Sequence, residues 1–226
     1  ANATTSEITV YQGETVTISS SGGNTSDFCY WASDNGGSSW NVFAEDYCNQ
    51  ASFDYEFSET GTYIFHVRNS DECGYCWDDG RTCTCNDCMV TINVIQPPYK
   101  VEWISFDLGS SDWCTGEQRQ VEVTVKNIGT ATWGADVNLG VKWNGWSDYH
   151  VRVSASGQAP NQTETYYITI EAKNASAGPT YSTDLSTGTN NLTFDMVKEG
   201  DCWFGNNDGS CGPGNNNYVS GNQTIK

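Results

Sequence analysis

Apolar and polar residues alternate along this chain in short runs, and nowhere do apolar residues recur at the 3.6-residue spacing of an amphipathic helix. Gly, Asn, Asp and Ser break the runs every 8 to 15 residues, which predicts an all-β fold of the sandwich type. In the first half, Ile8, Val10, Val16 and Ile18 alternate within Glu7–Gln12 and Glu14–Ser19, two strands about a turn at Gly13. Strands follow at Phe28–Ala32, Ser52–Phe57, Thr62–Arg68 and Met89–Ile95, with Phe53, Tyr55, Phe57, Tyr63, Phe65 and Val67 on their apolar faces. The second half predicts strands at Val101–Leu108 and Gln120–Asn127, then an alternating strand closing on Trp143, then Tyr149–Ala155 and Thr165–Ala172. Leu192–Val197 comes next, with Leu192, Phe194 and Met196 inward and Asn191 outward. A turn at Glu199 and Gly200 leads to Trp203 and Phe204. Asn215–Lys226 reads as a weak last strand, in which only Tyr218, Val219 and Ile225 suit a core.

Pro97 and Pro98, inside VIQPPYKV, form the one clean linker, with strand-like sequence on both sides. The expected fold class is therefore all-β, as two tandem Ig-like β-sandwich domains. Residues 1–96 form an N-terminal sandwich with a cysteine-rich loop at 71–88, and residues 97–226 a C-terminal sandwich with a tail. A length of 226 residues gives each half enough chain for its own core.

Charge narrows the partners. Twenty-eight acidic residues against 10 basic ones give a net charge of -18, which repels nucleic acid and keeps a surface protein soluble. Mean hydropathy is -0.54, and no apolar run is long enough to predict a membrane span. Position 1 is Ala and no signal-peptide pattern is visible, which reads as a mature, processed chain.

Ten cysteines occur alongside six N-x-S/T triplets, beginning at Asn2, Asn24, Asn161, Asn174, Asn191 and Asn222. Each triplet falls in a tail, in a turn or on the outward side of a strand, where a glycan stands in solvent. The combination predicts an oxidised, extracellular or cell-surface protein carrying N-linked glycans. Cys73, Cys76, Cys83, Cys85 and Cys88 crowd into DECGYCWDDGRTCTCNDC. Two C-x-x-C pairs have the ligand count of a zinc site, but eight residues between them is short for a zinc ribbon, and a fifth cysteine is left over. A disulfide-stapled loop is the favoured reading, so no metal is expected there. Cys29 and Cys48 are expected to close another loop, worth ~3 kcal/mol in the chain-entropy picture.

The segments VTVKNIGTATWGADVNLGVKWNG and LTFDMVKEGDCWFG resemble the four-tryptophan (FW) Ig-like domain of autophagy receptors and many secreted prokaryotic proteins. The resemblance covers about residues 117 to 205. Trp133, Trp143 and Trp203 fall on tryptophan positions of the pattern, while Phe194 on the penultimate strand and Val123 or its neighbour near the start are apolar residues in place of tryptophan. The resemblance implies that Trp133, Trp143, Phe194 and Trp203 are structural core, and that the domain binds or spaces rather than catalyses. An insertion around Pro179–Ser186 departs from the family pattern. In the first half, SETGTYIFHV resembles the late hairpin strand of PKD-like and other prokaryotic Ig-like domains. SDNGGSSW at Ser33–Trp40 resembles an Asp box, which is a structural hairpin.

Trp31, Trp40, Trp77, Trp113 and Trp146 sit in or beside loops, where an indole face is free to stack on a sugar ring. That supports an alternative, a carbohydrate-binding or accessory module of a secreted protein, with surface glycans as partner. Catalytic residues are not expected: His66 and His150 are the only near-neutral bases, and neither accompanies a nucleophile motif. No cofactor is expected besides glycans. The oxygen donors of SDNGG and GNNDGSCGPGNNN are read first as turns, with calcium as the alternative, because EF-hand spacing is absent.

Seven cysteines fall in the first domain and three in the second, Cys114, Cys202 and Cys211. With both counts odd, full pairing requires at least one bond to leave its domain. If Cys202 and Cys211 pair locally, Cys114 and one cysteine of the 73–88 loop remain. Ordinary Ig topology puts these at opposite ends of a tandem on the order of 70–80 Å long, beyond disulfide reach within one molecule. They would meet between molecules placed head to tail. The expected function is a structural subunit of an extracellular filament or surface layer, whose partner is copies of itself joined through domain ends and terminal strands.

Overall fold

The computed structural model describes residues 7–19, 28–33, 52–69, 89–144, 151–175, 181–205, 211 and 218–226, with backbone only at 28–33, 66–69, 89, 174–175 and 181–183. The chain divides into two compact units, Ala1–Gln96 and Pro97–Lys226. Both are β-sandwiches, and the fold class is all-β.

The first unit has six described strands: β1 (Glu7–Tyr11), β2 (Thr15–Ser19), β3 (Phe28–Ser33), β4 (Ser52–Glu56), β5 (Gly61–Asn69) and β6 (Met89–Ile95). One sheet runs β1-β6-β5-β3 and the other pairs β2 with β4. The strands about Gly13 do not pair with each other. β1 lies parallel to β6, and β2 lies antiparallel to β4, so this turn carries the chain from one sheet to the other. Gly13 has φ of 92°, a left-handed conformation that suits glycine. Its N–H donates to the Phe57 carbonyl, which ties the turn to the end of β4. Alternation sends Ile18, Phe53, Phe65, Ile92 and Val94 between the sheets, where Phe57 meets Tyr63 in a T-shaped contact with centroids 5.0 Å apart.

The second unit contains β7 (Val101–Asp107), β8 (Gln118–Asn127), β9 (Val137–Trp143), β10 (Val151–Ser154) and β11 (Thr163–Glu171). After these come β12 (Lys173–Ala175), β13 (Tyr181–Asp184), β14 (Gly188–Lys198), β15 (Cys202–Trp203) and β16 (Val219–Ile225). The sheet β11-β8-β7 faces the sheet β10-β9-β14-β15, to which β16 adds alongside β14. Between them lie Val123, Val125, Trp133, Leu139, Val141, Trp143, Ile168, Leu192, Phe194, Met196 and Phe204, all buried.

Several elements differ from expectation. The region around Pro179–Ser186 contributes β13, which pairs with β12 as a separate hairpin. β14 starts four residues earlier than the alternation suggested, and it is buried on both faces from Leu192 to Val197. Asp195, expected to face outward, is buried: it accepts the Gly205 N–H at 3.0 Å, so returning chain covers that face. The last strand is not weak. Strand β16 pairs with β14 over seven residues and buries Ile225 and Gln223, while Tyr218 stays exposed.

A buried polar peg moors the loop between β8 and β9. The Asn127 side-chain amide donates to the carbonyls of Ala131 and Gln158, each at 2.9 Å, and its Oδ1 accepts the Gly129 N–H at 3.0 Å. Gln158 in turn donates to the carbonyls of Val125 and Gln162 and accepts the Tyr166 hydroxyl at 2.6 Å. Every polar atom of both amides is satisfied, as burial requires. The loop then grips the segment after Gln96: the N–H groups of Thr130 and Ala131 donate to the carbonyls of Pro97 and Pro98. Gly129 makes this approach feasible, since a Cβ there would lie 2.3 Å from the Pro98 carbonyl oxygen.

Candidate junction and glycan sites

Cys114 sits in the connection from β7 to β8. Because β8 returns antiparallel to β7, with Asn127 opposite Val101, this connection lies at the end of the second unit away from Pro97. The turn Cys114–Glu117 is closed by the Glu117 N–H donating to the Cys114 carbonyl, and Gly116 supplies a φ of 72°. The Glu117 carboxylate bonds back to the Cys114 N–H at 2.6 Å and accepts Arg119 Nε at 2.6 Å. Arg119 spends its remaining donors on the carbonyls of Ser111 and Asp112 and on the Ser111 hydroxyl, and stacks over the Trp113 ring. The Arg119 guanidinium first, and the Cys114 N–H second, hold the Glu117 carboxyl below the ordinary carboxylate range.

Trp113 anchors this loop in the core. It is fully buried, T-shaped against Trp143 at 5.6 Å, and paired through its backbone with Thr224 and Lys226. This overturns the expectation of a loop tryptophan free to stack on sugar. The sequence hid it because Trp113 bridges to β16 as a lone parallel pair rather than standing in a run of alternation. Lys226 completes the surround, with Nζ 2.6 Å from Asp112 and its carbonyl accepting the Thr115 N–H. Cys114 itself is exposed and, among the described residues, the one free cysteine.

Cys202 and Cys211 form a disulfide, both buried. Cys29 lies in the backbone of β3 with its side chain outside the described residues, and Cys48, Cys73, Cys76, Cys83, Cys85 and Cys88 lie outside them altogether. Of the FW-like positions, Trp133, Trp143 and Phe194 are buried, as is Val123. Trp203 is not in the core. Alternation along β15 points Cys202 inward and Trp203 outward, where Arg152 stacks on its ring at 5.4 Å. Phe204 takes the core place and meets Trp133 in a T-shaped contact at 5.7 Å.

Among the triplets, Asn161 occupies the third position of the turn Ala159–Gln162, with φ of 64° after Pro160, and is exposed. That is type II geometry, in which Pro second and Asn third are favoured. Asn191 and Asn222 are direct cross-strand partners on β14 and β16. Asn191 Nδ2 donates to Asn222 Oδ1 at 3.2 Å, and Asn191 Oδ1 accepts the Thr193 hydroxyl at 3.1 Å. Asn174 lies at a bulge of β12 with its side chain outside the described residues, which also exclude Asn2 and Asn24.

His66 lies in β5 opposite Met89 of β6, its side chain outside the described residues, as is the whole of His150. Trp31 is described in backbone only, and Trp40, Trp77 and Trp146 not at all. Among the described residues no three of His, Cys, Asp and Glu gather as a metal site, and no helix is long and apolar enough to cross a membrane.

No family model matches the chain, and no curated protein matches it. Among solved structures, it is similar to native Escherichia coli alpha-2-macroglobulin at 10% identity and TM-score 0.30, over 79% of this chain and 9% of that one. It is similar to red sea bream transglutaminase at 8% identity and TM-score 0.36, over 94% of this chain and 28% of that one. The calcium binding domain CBD12 of CALX1.1 is similar at 12% identity and TM-score 0.22, over 87% of this chain and 80% of that one. The chain thus spans under a third of the macroglobulin and the transglutaminase. Likenesses this low carry no argument about activity, and the β-sandwich reading stands on the chain's own sheets and cores.

Proposed function

We propose that this chain is a non-enzymatic structural subunit of an extracellular filament or cell-surface layer, assembling head to tail with copies of itself. One observation carries the reading. The second unit uses two of its three cysteines in a local bond and presents the third, Cys114, exposed on a braced turn at its far end. In an oxidising compartment a surface thiol so presented finds a partner, and the odd count of seven cysteines in the first unit offers one on the next molecule. A head-to-tail contact between different surfaces, unless it closes into a ring, propagates as a fibre.

The same reading makes the protein N-glycosylated, with an FW-like second unit serving as a rigid spacer. It needs no cofactor, and calcium on the Asn- and Asp-rich turns is secondary to it. The alternative of a carbohydrate-binding module loses its support at Trp113, which is buried. Negative-stain microscopy of native material, with non-reducing gels of the same sample, tests the proposal. Regular fibres, and a ladder of covalent multimers that Cys114→Ser abolishes, are expected. Isolated short rods migrating as monomers would overturn it, and binding of those rods to a polysaccharide would favour the module.

A further inference from the structure

The six triplets are not equivalent, and two of them share a single patch. Asn191 uses both backbone groups towards β9: its N–H donates to Asn144 Oδ1 at 2.9 Å, and its carbonyl accepts the Asn144 N–H at 2.7 Å. A strand residue points both groups to one side, so Asn191 faces Asn222 as a non-hydrogen-bonded pair. Such pairs bring Cα atoms to about 4.5 Å and side chains closest together. Two sugars rooted at that spacing, on the same face, compete for one volume.

Exposure breaks the tie, and the amide contacts go with it: Asn222 is exposed, whereas Asn191 is only partly so. Both ends of the Asn191 amide are engaged: Nδ2 points at Asn222, and Oδ1 holds the Thr193 hydroxyl. Thr193 is itself buried, so this arrangement is fixed from beneath. Asn222 is exposed and takes part through Oδ1 only, which leaves its Nδ2 without a partner among the described residues. Nδ2 is the atom that carries an N-glycan. The inference rests on the glycoprotein reading above. We propose that Asn222 is the carrier of this pair, and that Asn191 stays unmodified as the partner that orients it.

In the transfer, Asn222 Nδ2 bonds to the anomeric carbon of a sugar delivered on a lipid phosphate. The carbon–oxygen bond to the phosphate breaks, and the proton lost from Nδ2 goes to the released phosphate. Asn222 Oδ1 keeps its lone pairs and its bond from Asn191, so the modified chain loses no contact. A sugar on Asn191 Nδ2 would take one hydrogen of the atom that faces Asn222 and stand where β16 pairs with β14. A chain loaded on Asn191 before folding would still have to close β16 against β14 around that sugar.

Glycopeptide mass spectrometry of the native protein tests this, after cleavage at Lys198 and before Asp184 so that Asn174, Asn191 and Asn222 fall on separate peptides. A glycan on the Asn222 peptide and none on the Asn191 peptide is expected. Thr224→Val, which destroys the Asn222 triplet, should remove one glycan mass from the whole protein, and Thr193→Val should remove none. A glycan on Asn191, alone or together with Asn222, overturns the assignment, as does a bare Asn222 while other triplets are loaded. If all six triplets are bare, the glycoprotein reading itself falls.

Discussion

The side-chain nitrogen of Asn127 lies 2.9 Å from the backbone carbonyl of Gln158, joining the end of β8 to the turn before β11 in a fully buried bond. That carbonyl also accepts the Trp133 N–H at 3.0 Å, so one oxygen fixes the loop that delivers the core tryptophan. Replacing Asn127 with Ala removes two donated bonds and one accepted bond: the Ala131 carbonyl and the Gly129 N–H lose their Asn127 partner, while the Gln158 carbonyl keeps the Trp133 N–H. Each orphaned buried group costs about 1–3 kcal/mol, part of it recovered by water. Chemical denaturation should therefore show a loss of about 3 kcal/mol, with the near-UV signal of Trp133 altered before the far-UV signal of the sheets.

The hydroxyl at the other side of this peg gives a pH signature. Burial first, and the charge of Glu164 second, push Tyr166 up to about 12. An unfolded tyrosine titrates near 10. The folded unit thus holds the proton more tightly than the unfolded chain, and this contribution is intact below about 10 and lost as pH rises towards about 12. Thermal melts of the second unit should show stability falling through that window. Tyr166→Phe should flatten the fall while lowering stability near neutrality by about 1–2 kcal/mol, because Gln158 Oε1 loses its donor.

Gly129 offers a steric test. A methyl group there would meet the Pro98 carbonyl oxygen at 2.3 Å and the Lys100 N–H nitrogen at 2.8 Å, both backbone atoms with no flexible end to yield. Gly129→Ala should cost about 3 kcal/mol, the upper range for overpacking, and should release the bonds from Thr130 and Ala131. Faster hydrogen exchange at those two amides, alongside a lower melting temperature, is the expected result. An unchanged melting temperature would mean that the loop relaxes away from Pro98.

How much of this was legible follows from what alternation can encode. Ile18, Phe53, Phe65, Leu192, Phe194 and Met196 each stand in a period-two run, and all are buried. Trp113 has no such run: it joins β16 through a single bridge to Ile225, over a hundred residues away, and packs on Trp143. Asp195 defeats alternation for another reason: a second layer of chain, at Gly205 and Tyr218, covers what would be the solvent face of β14. Register across long separations, such as Asn191 opposite Asn222, is written in no local pattern. The Asn127 peg was likewise invisible, since an asparagine ending a strand reads as a turn residue until its three partners are known.

The disulfide contributes through the unfolded chain. Cys202 and Cys211 are nine residues apart, and closing so short a loop is worth about 3 kcal/mol in the chain-entropy account. Both cysteines are buried beside the core, so Cys202→Ala with Cys211→Ala also removes packing. Reduction should lower the melting temperature of the second unit, and reagent access to the new thiols should follow unfolding. Cys114, already exposed, should react at once in the folded protein as soon as any bond it makes to another subunit is reduced.

The turn that presents Cys114 should respond to acid. Arg119 first, then the Cys114 N–H, favour the charged form of Glu117 and lower its titration in the folded state. A depressed carboxyl contributes stability above its unfolded value, near 4.3, that is lost as pH falls through the lower folded value. The Glu117–Arg119 pair is partly exposed, so salt weakens it and the effect on global stability is small. The local effect is the informative one. Exchange of the Cys114 amide, corrected for the intrinsic pH dependence, should stay slow down to the ordinary glutamate range and speed up below it. Glu117→Gln should exchange faster throughout and lose the acid step, because a neutral amide neither holds Arg119 nor accepts the Cys114 N–H as strongly. If Cys114 is the joint between subunits, that variant should also cross-link more slowly, since its thiol would no longer be held in one position.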